Sequence, residues 1–194
     1  MRNPIRLKNL NARFLPLYLA GVALLVFYPP QREIIARVLP LIGLGVWLRG
    51  WGAGHLVKND ELTVSGPYAY LRHPLYVGTI LIATGFAIAV GGGLSLLALV
   101  VIWPWFALRY FPRKERSESL RLETRYGERF IRYHEAVPAL VPRLRAWADQ
   151  EERGIEASHR GWALDRYSDN NELGTLLAVL AGVIVFWLRG TASA

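Results

Sequence analysis

The chain has 194 residues, of which 53% are hydrophobic, and its mean hydropathy is +0.22. It contains no cysteine, which excludes a disulfide framework and any thiolate nucleophile or metal ligand. The formal net charge of +8 is compatible with nucleic-acid binding and with a membrane protein that faces anionic lipid. Because the apolar residues cluster in runs near the ~20 residues that span a hydrocarbon core, we predict an integral membrane protein that binds no nucleic acid.

The first part of the chain predicts two membrane spans joined by a short turn. Residues 1–13 carry four cations and no acid, so the positive-inside rule places this end in the cytoplasm. Residues 14–28 form the first apolar run, which Pro29-Pro30 ends, and residues 34–51 form the second. A connection this short makes the two helices antiparallel neighbours. We expect a prokaryotic cytoplasmic membrane and a cytoplasmic N-terminus.

A second pair of spans is predicted on either side of a glycine turn. Residues 74–90 form the third span and residues 94–111 the fourth, with a kink expected at Pro104. The three glycines 91–93 between them can take the positive φ angles that a tight turn needs. Cations concentrate in residues 109–116, so the chain returns here to the cytoplasm.

The rest of the chain predicts a charged helix and a last span. Leucines and aromatic residues recur at roughly helical spacing over residues 115–133. Residues 145–171 are polar with scattered aromatic residues and predict an amphipathic segment on the membrane surface, and residues 173–188 predict a short last span. The expected fold is a single all-α polytopic domain over residues 1–194, with about five spans and a small cytoplasmic helical site.

The stretch Gly66-Pro-Tyr-Ala-Tyr-Leu-Arg-His-Pro-Leu-Tyr-Val-Gly78 concentrates basic and aromatic residues directly before the third span. Pro74 suits the first position of a helix, where a backbone N–H is not needed. Arg72 and His73 then lie beside the positive end of the helix dipole, which favours a bound anion. The alternative is a belt of aromatic residues and arginine at headgroup depth. The glycines and prolines that frame the stretch favour a binding site.

Other candidate residues have simpler explanations. Glu118 is at helical spacing from Arg121 and Lys114, as in a solvated ion pair. Arg113 and Lys114 are typical of positive-inside residues, or else contact a phosphate or carboxylate. The four histidines lack the spacing of metal ligands, so we predict no metal site. His55 either caps a helix or binds a ligand.

Two linked motifs resemble those of the isoprenylcysteine carboxyl methyltransferase and phospholipid methyltransferase superfamily. The first motif is the stretch described above. The second comprises Glu118, Leu120, Tyr126-Gly127, Phe130, Tyr133, Val137-Pro138 and Pro142. The resemblance covers residues 43–142 and leaves residues 145–194 as an added amphipathic segment and last helix. It implies a helical membrane enzyme that binds S-adenosylmethionine at the cytoplasmic face and methylates a lipophilic acceptor that enters from the bilayer.

The same resemblance implies roles for individual positions. It places cofactor contacts on Asp60, Glu61, Leu62, Thr63, Tyr68, His73, Pro74, Leu75, Tyr76 and Glu118. The predicted catalytic residues are Arg72, His73 and Glu118. Lys114 occupies the position of an arginine that the prenylcysteine enzymes assign to their substrate, and we expect Lys114 and its neighbour Arg113 to contact the acceptor.

The chain departs from the family pattern in ways that bear on the acceptor. Ser119 replaces the second of two adjacent acids, and Phe130 replaces a tyrosine. Lys114 cannot form the bidentate fork that an arginine makes on a carboxylate, which argues against a prenylcysteine carboxylate. Phospholipid amines, isoprenoids, quinone-like compounds and small thiols stay open as acceptors.

Two other functions fit part of the pattern. Membrane sterol and steroid reductases carry a similar Arg-His-Pro-x-Tyr signature and use NADPH. A lipid-binding membrane protein without catalysis is the third possibility. The acidic helix, the second motif and the small size of the chain favour the methyltransferases.

Overall fold

The computed structural model describes residues 27–57, 61–148 and 161–191. Within these ranges the regular secondary structure is helical, apart from an isolated bridge between Gln31 and Thr191. The helices are α1 Arg32–His55, α2 Pro74–Val90, α3 Gly92–Pro104, α4 Phe111–Tyr126, α5 Glu128–Ala136, α6 Leu164–Asp169 and α7 Glu172–Arg189. A 3-10 turn covers Gly66–Ala69, and a π-helical segment, Trp105–Tyr110, joins α3 to α4.

Three of the described helices are long and apolar enough to cross a membrane: Arg32–His55, the continuous helix Gly92–Tyr126 and Glu172–Arg189. Helix α2 is apolar but has 17 residues, which corresponds to about 26 Å of helix. The all-α membrane fold is therefore confirmed. Most of the predicted first span, residues 14–28, and the basic N-terminal segment lie outside the described residues, so the total of five spans stays a prediction.

Helices α1 and α2 pack closely because small residues face each other where they cross. A Cβ atom added at Gly45 would lie 2.7 Å from the carbonyl oxygen of Gly78, and one added at Gly78 would lie 2.6 Å from the oxygen of Gly45. Small residues at such crossings let helix backbones approach within a membrane. A core of buried apolar side chains continues this contact and includes Val179 of α7: Ile35, Val38, Ile42, Ile82, Ala89 and Val179.

Helix α7 lies antiparallel to α1. Near its end, Thr191 accepts a hydrogen bond from the amide of Arg32 at 3.1 Å. At its start, Glu172 pairs with Arg49 near the end of α1. The span predicted over residues 173–188 is thus present as the 18-residue helix α7. The described part of the amphipathic segment predicted over residues 145–171 contains one helix, the six-residue α6. Residues 149–160 of that segment lie outside the described residues.

The fourth predicted span continues beyond its expected end. The helix does not stop at Phe111 but runs on through α4 to Tyr126, where Gly127 at φ +55° separates it from α5. Pro104, the expected kink, is followed directly by the π-helical segment. Helix α5 and the segment after α1 share a second apolar core: Leu62, Val64, Phe130, Tyr133 and Val137. Leu122 and Tyr126 of α4 pack against this core.

Candidate functional site

The segment after α5 holds the stretch before α2 in place. Backbone hydrogen bonds of 2.9–3.1 Å join the two segments, from Arg72 N to Pro138 O, His73 N to Ala139 O, Arg143 N to Tyr70 O and Trp147 N to Ala69 O. The hydroxyl of Tyr133 adds a bond to the carbonyl oxygen of Tyr68 at 2.8 Å. The two sequence motifs therefore lie against each other and are joined by hydrogen bonds. This contact explains why they occur together.

A cavity of about 440 Å³ lies beside this structure, between the start of α2 and the inner face of α4. Most of the residues predicted to contact a cofactor line it: Glu61, Leu62, Thr63, Tyr68, His73, Pro74, Leu75, Tyr76 and Glu118. Arg72 lines it as well. Asp60 lies outside the described residues. The structure thus brings together in one cavity the positions that the resemblance singled out along the sequence.

His73, Tyr76 and Glu118 form a connected group in the cavity wall. The hydroxyl of Tyr76 donates a short hydrogen bond to Oε1 of Glu118. The rings of His73 and Tyr76 stack with their centroids 5.3 Å apart. Nδ1 of His73 lies 3.6 Å from Oε2 of Glu118. Glu118 is therefore not the solvated partner of Arg121 or Lys114 that its spacing suggested, because its described contacts go to the stretch before α2 and to α2 itself.

Glu115 contacts the predicted site residues Arg72 and His73, and the sequence alone did not indicate it. Its carboxylate lies 2.6 Å from Nη1 of Arg72, 3.4 Å from Nε2 of His134, and in contact with Nε2 of His73. One signal was present in the sequence, since Glu115 precedes Glu118 by three residues and so shares its helix face. Its partners lie on other elements, which spacing along the chain does not reveal.

Two tyrosines beside the cavity are buried and neutral. Tyr68 is 7% exposed and Tyr133 is 3% exposed. Burial, followed by the charge of neighbouring groups, raises the pKa of Tyr68 above its usual range. Burial likewise raises the pKa of Tyr133. Both side chains therefore present an aromatic face and a neutral hydroxyl rather than a phenolate.

The helix start itself offers fewer donors than expected. Pro74 has no N–H, and the amides of Tyr76 and Val77 both donate to the carbonyl oxygen of His73 at 3.1 Å. The amide of Leu75 alone in this turn makes no backbone hydrogen bond within the described ranges. An anion here would rely on the side chains of Arg72 and His73 more than on the row of free amides that the sequence suggested.

The residues predicted to contact the acceptor lie elsewhere. Arg113 and Lys114 are exposed on α4 and do not line the cavity. His55 is the last residue of α1. Its Nδ1 lies 3.3 Å from the hydroxyl of Ser65. The cavity is also lined by residues for which no cofactor role was predicted: Leu56, Val57, Ser119, Arg121, Leu122, Arg125, Tyr126, Phe130 and Tyr133. In the part of the chain that the structure describes, no three His, Asp or Glu side chains converge as metal ligands.

An aromatic cluster connects the cavity to the outer surface of the helix bundle. Tyr76 meets Tyr110 and Phe111 edge to face, with centroids 5.9 and 6.3 Å apart. Tyr110 in turn stacks on Trp105, whose side chain is 56% exposed. Trp105 and Tyr110 are the two ends of the π-helical segment. Single π-helical turns recur at functional sites in other proteins.

The chain is similar in sequence to a known protein family and to several known proteins. A family model described as phospholipid methyltransferase matches residues 34–129. Protein-S-isoprenylcysteine O-methyltransferase of Schizosaccharomyces pombe is 31% identical over 117 residues, which cover 54% of this chain and 48% of that protein. Protein-S-isoprenylcysteine O-methyltransferase B of Arabidopsis thaliana is 30% identical over 137 residues, which cover 62% of this chain and 67% of that protein.

The similarity extends beyond proteins named as methyltransferases. The cobalt-zinc-cadmium resistance protein CzcN of Cupriavidus metallidurans is 39% identical over 87 residues, which cover 45% of this chain and 38% of that protein. The chain spans about half the length of the S. pombe relative. No solved structure matches it significantly. On the family model and the Arabidopsis relative together, the chain belongs to the isoprenylcysteine carboxyl methyltransferase and phospholipid methyltransferase superfamily of membrane methyltransferases.

Proposed function

We propose that the protein transfers a methyl group from S-adenosylmethionine to a lipophilic or membrane-associated acceptor, with the cofactor bound in the cavity at the start of α2. The observation that carries this proposal is the linked group of His73, Tyr76 and Glu118 in the cavity wall. It combines a carboxylate, an imidazole and an aromatic face at one end of an apolar helix.

The chemistry of the lining residues fits this cofactor. S-adenosylmethionine carries a carboxylate, an ammonium, a ribose, an adenine and a sulfonium. Glu118 suits the ammonium or the ribose hydroxyls, and Arg72 with His73 suits the carboxylate. The faces of Tyr68 and Tyr76 suit the sulfonium or the adenine, because an aromatic face attracts a cation. The volume of the cavity falls within the range of about 300–1,000 Å³ that is usual for small-molecule sites.

The bound cofactor supplies an activated methyl group, and the protein supplies position and the exclusion of water. Tyr76 fixes the orientation of the Glu118 carboxylate through its hydroxyl. His73 and Glu118 are also the groups placed to take a proton from an amine acceptor, which must be deprotonated before it attacks. A carboxylate or thiolate acceptor needs no such base.

The aromatic cluster supports an acceptor that comes from the bilayer. It begins at Tyr76 in the cavity and ends at Trp105 on an exposed helix face. The relatives are named for isoprenylcysteine and the family model for phospholipid. The exposed Lys114, one residue after Arg113 on α4, is the candidate contact for an anionic headgroup. The acceptor itself is to be found by screening lipid extracts for a methylated product.

Calorimetric binding of S-adenosylhomocysteine to the purified protein in detergent tests the cofactor. We expect micromolar binding that His73→Ala and Glu118→Ala each weaken. Glu123→Ala is the matched control, because Glu123 is exposed on the same helix as Glu118 and does not line the cavity. Binding of NADPH in place of S-adenosylhomocysteine would favour the reductase function. Failure of folded protein to bind either nucleotide would favour a lipid-binding protein without catalysis.

The orientation in the membrane is a separate part of the proposal. Helix α7 starts at the cavity end of the bundle and finishes beside the start of α1. If the cavity faces the cytoplasm, a reporter fused after α7 is expected on the opposite side from one inserted between α4 and α5. Two reporters that read the same side would contradict α7 as a span.

A further inference from the structure

Glu115 is the most highly connected charged residue in the described part of the site. Its side chain is 19% exposed, and its two oxygens are shared among one arginine and two histidines. Oε1 lies 2.6 Å from Nη1 of Arg72 and 3.4 Å from Nε2 of His134, while Oε2 contacts Nε2 of His73. One carboxylate on α4 therefore joins the stretch before α2 to α5.

These contacts hold the His73 ring on several sides. Nε2 faces Glu115, Nδ1 faces Glu118 at 3.6 Å, and the ring stacks on Tyr76. Phe111 meets the ring edge-on at 5.4 Å.

Glu115 itself does not line the cavity, whereas Arg72 and His73 both do. The contacts that link Glu115 to the cavity wall are therefore those with Arg72 and His73. Groups that bind ligands keep a productive geometry only when neighbours fix their rotamers. We infer that Glu115 is a positioning residue, which clamps Arg72 and His73 from α4 and sets the cofactor-binding geometry of the cavity; this inference rests on the function proposed above.

The test compares Glu115→Gln and Glu115→Asp with the matched control Glu123→Gln. Glu123 lies on the same helix, is exposed, and makes no side-chain hydrogen bond or ion pair within the described ranges. The first readout is the affinity for S-adenosylhomocysteine by calorimetry. We expect Glu115→Gln to lose about tenfold, as supporting residues around a site typically do, Glu115→Asp to recover part of that loss, and Glu123→Gln to match the wild type.

The second readout needs no ligand. Nitrogen NMR of protein labelled in histidine reports the ring of His73, which is assigned by its absence in His73→Asn. The His73 signal should move in Glu115→Gln, return towards its original position in Glu115→Asp, and stay unchanged in Glu123→Gln. If Glu115→Gln does not fold, Glu115→Asp carries both measurements, because it keeps the charge and shortens the side chain.

The outcomes separate this inference from the proposed function. A folded Glu115→Gln protein with an unchanged His73 signal and unchanged affinity would overturn the positioning role. Loss of affinity in Glu123→Gln equal to that in Glu115→Gln would also overturn it, since a general charge effect would then suffice. A wild type that binds no S-adenosylhomocysteine, with a His73 signal that still moves in Glu115→Gln, would support the clamp and reject the cofactor.

Discussion

Two charged clusters lie near the same end of the helix bundle, and they differ in how completely their polar groups are paired. Arg49 of α1 forms a bidentate ion pair with Glu172 of α7, in which Nε and Nη2 of the arginine lie 2.7 and 2.8 Å from the two carboxylate oxygens. Its remaining nitrogen donates to the carbonyl oxygen of Leu75 and to the hydroxyl of Thr79. Every nitrogen of this guanidinium therefore has a partner, and the pair joins α1, α2 and α7.

The cluster around His73 is less complete. The side chain of Glu118 is 31% exposed, against 4% for that of Glu172, and it borders the cavity. A fully paired, buried cluster fixes helix packing and leaves nothing to bind a ligand. A partly paired cluster beside a cavity keeps hydrogen-bond donors and acceptors that can contact a ligand. The Arg49–Glu172 pair therefore suits helix packing, whereas the His73 cluster keeps the capacity that the function proposed above requires.

The largest effect should come from breaking the packed cluster. Glu172→Ala leaves Arg49, whose side chain is 17% exposed, without its buried counter-charge, and removal of one partner of a buried ion pair costs about 3–5 kcal/mol. Denaturant unfolding of the protein in detergent measures this loss. The control is Glu33→Ala, whose partner Arg37 is 77% exposed; an exposed pair of this spacing contributes about 0.3–0.5 kcal/mol. Equal losses in the two variants would contradict the structural role of Glu172.

The next largest loss of stability should come from a change at the crossing of α1 and α2. Gly45→Ala places a Cβ atom 2.7 Å from the carbonyl oxygen of Gly78, so the helices must separate. We expect a loss of about 1–3 kcal/mol in the free energy of unfolding, as for other overpacked sites. Gly43→Ala on the same helix is the control, because its Cβ would meet nothing within 4 Å. A Gly45→Ala protein as stable as Gly43→Ala would refute the close crossing.

The cavity side should respond in ligand affinity rather than stability. Tyr76→Phe keeps the ring that stacks on His73 but removes the hydroxyl that donates to Glu118. Because the Glu118 carboxylate would lose the contact that orients it, affinity for S-adenosylhomocysteine should fall about tenfold, as for other residues that support a site. Tyr110→Phe is the control, since the Tyr110 hydroxyl makes no hydrogen bond within the described ranges. Similar affinities in the two variants would reject an oriented Glu118.

The sequence predicted best where strong local signals mark both ends of an element. Helix α2 begins at Pro74 and ends before Gly91, as expected, because proline and glycine act locally. The predicted fourth span stopped too early at residue 111, since hydropathy changes there but the helix continues into the charged α4. Tyr68, His73 and Tyr76 were found from one compact motif, and all of them line the cavity.

The partners within each charged cluster were not predictable in the same way. Glu118 was expected to pair within its own helix, but its hydrogen bond comes from Tyr76, 42 residues away. Arg49 has the appearance of a cation at the end of a span, and its partner Glu172 is 123 residues away. Such pairs depend on how helices pack, which periodicity and spacing do not specify.

The smallest expected loss of stability comes from the segment before α7. The same variant tests whether the two charged clusters act independently. The indole N–H of Trp162 donates to the carbonyl oxygen of Gly50 at 2.9 Å. The side-chain amide of Asn170 donates to the carbonyl oxygens of Ala53 and Leu56 at the end of α1. Trp162→Phe should lose about 0.5–1.5 kcal/mol of unfolding free energy, with Trp103→Phe on the exposed face of α3 as the control. Affinity for S-adenosylhomocysteine should stay unchanged in both. A tenfold loss of affinity in Trp162→Phe would show that the packed region controls the cavity through the end of α1, and the division between the two clusters would then be wrong.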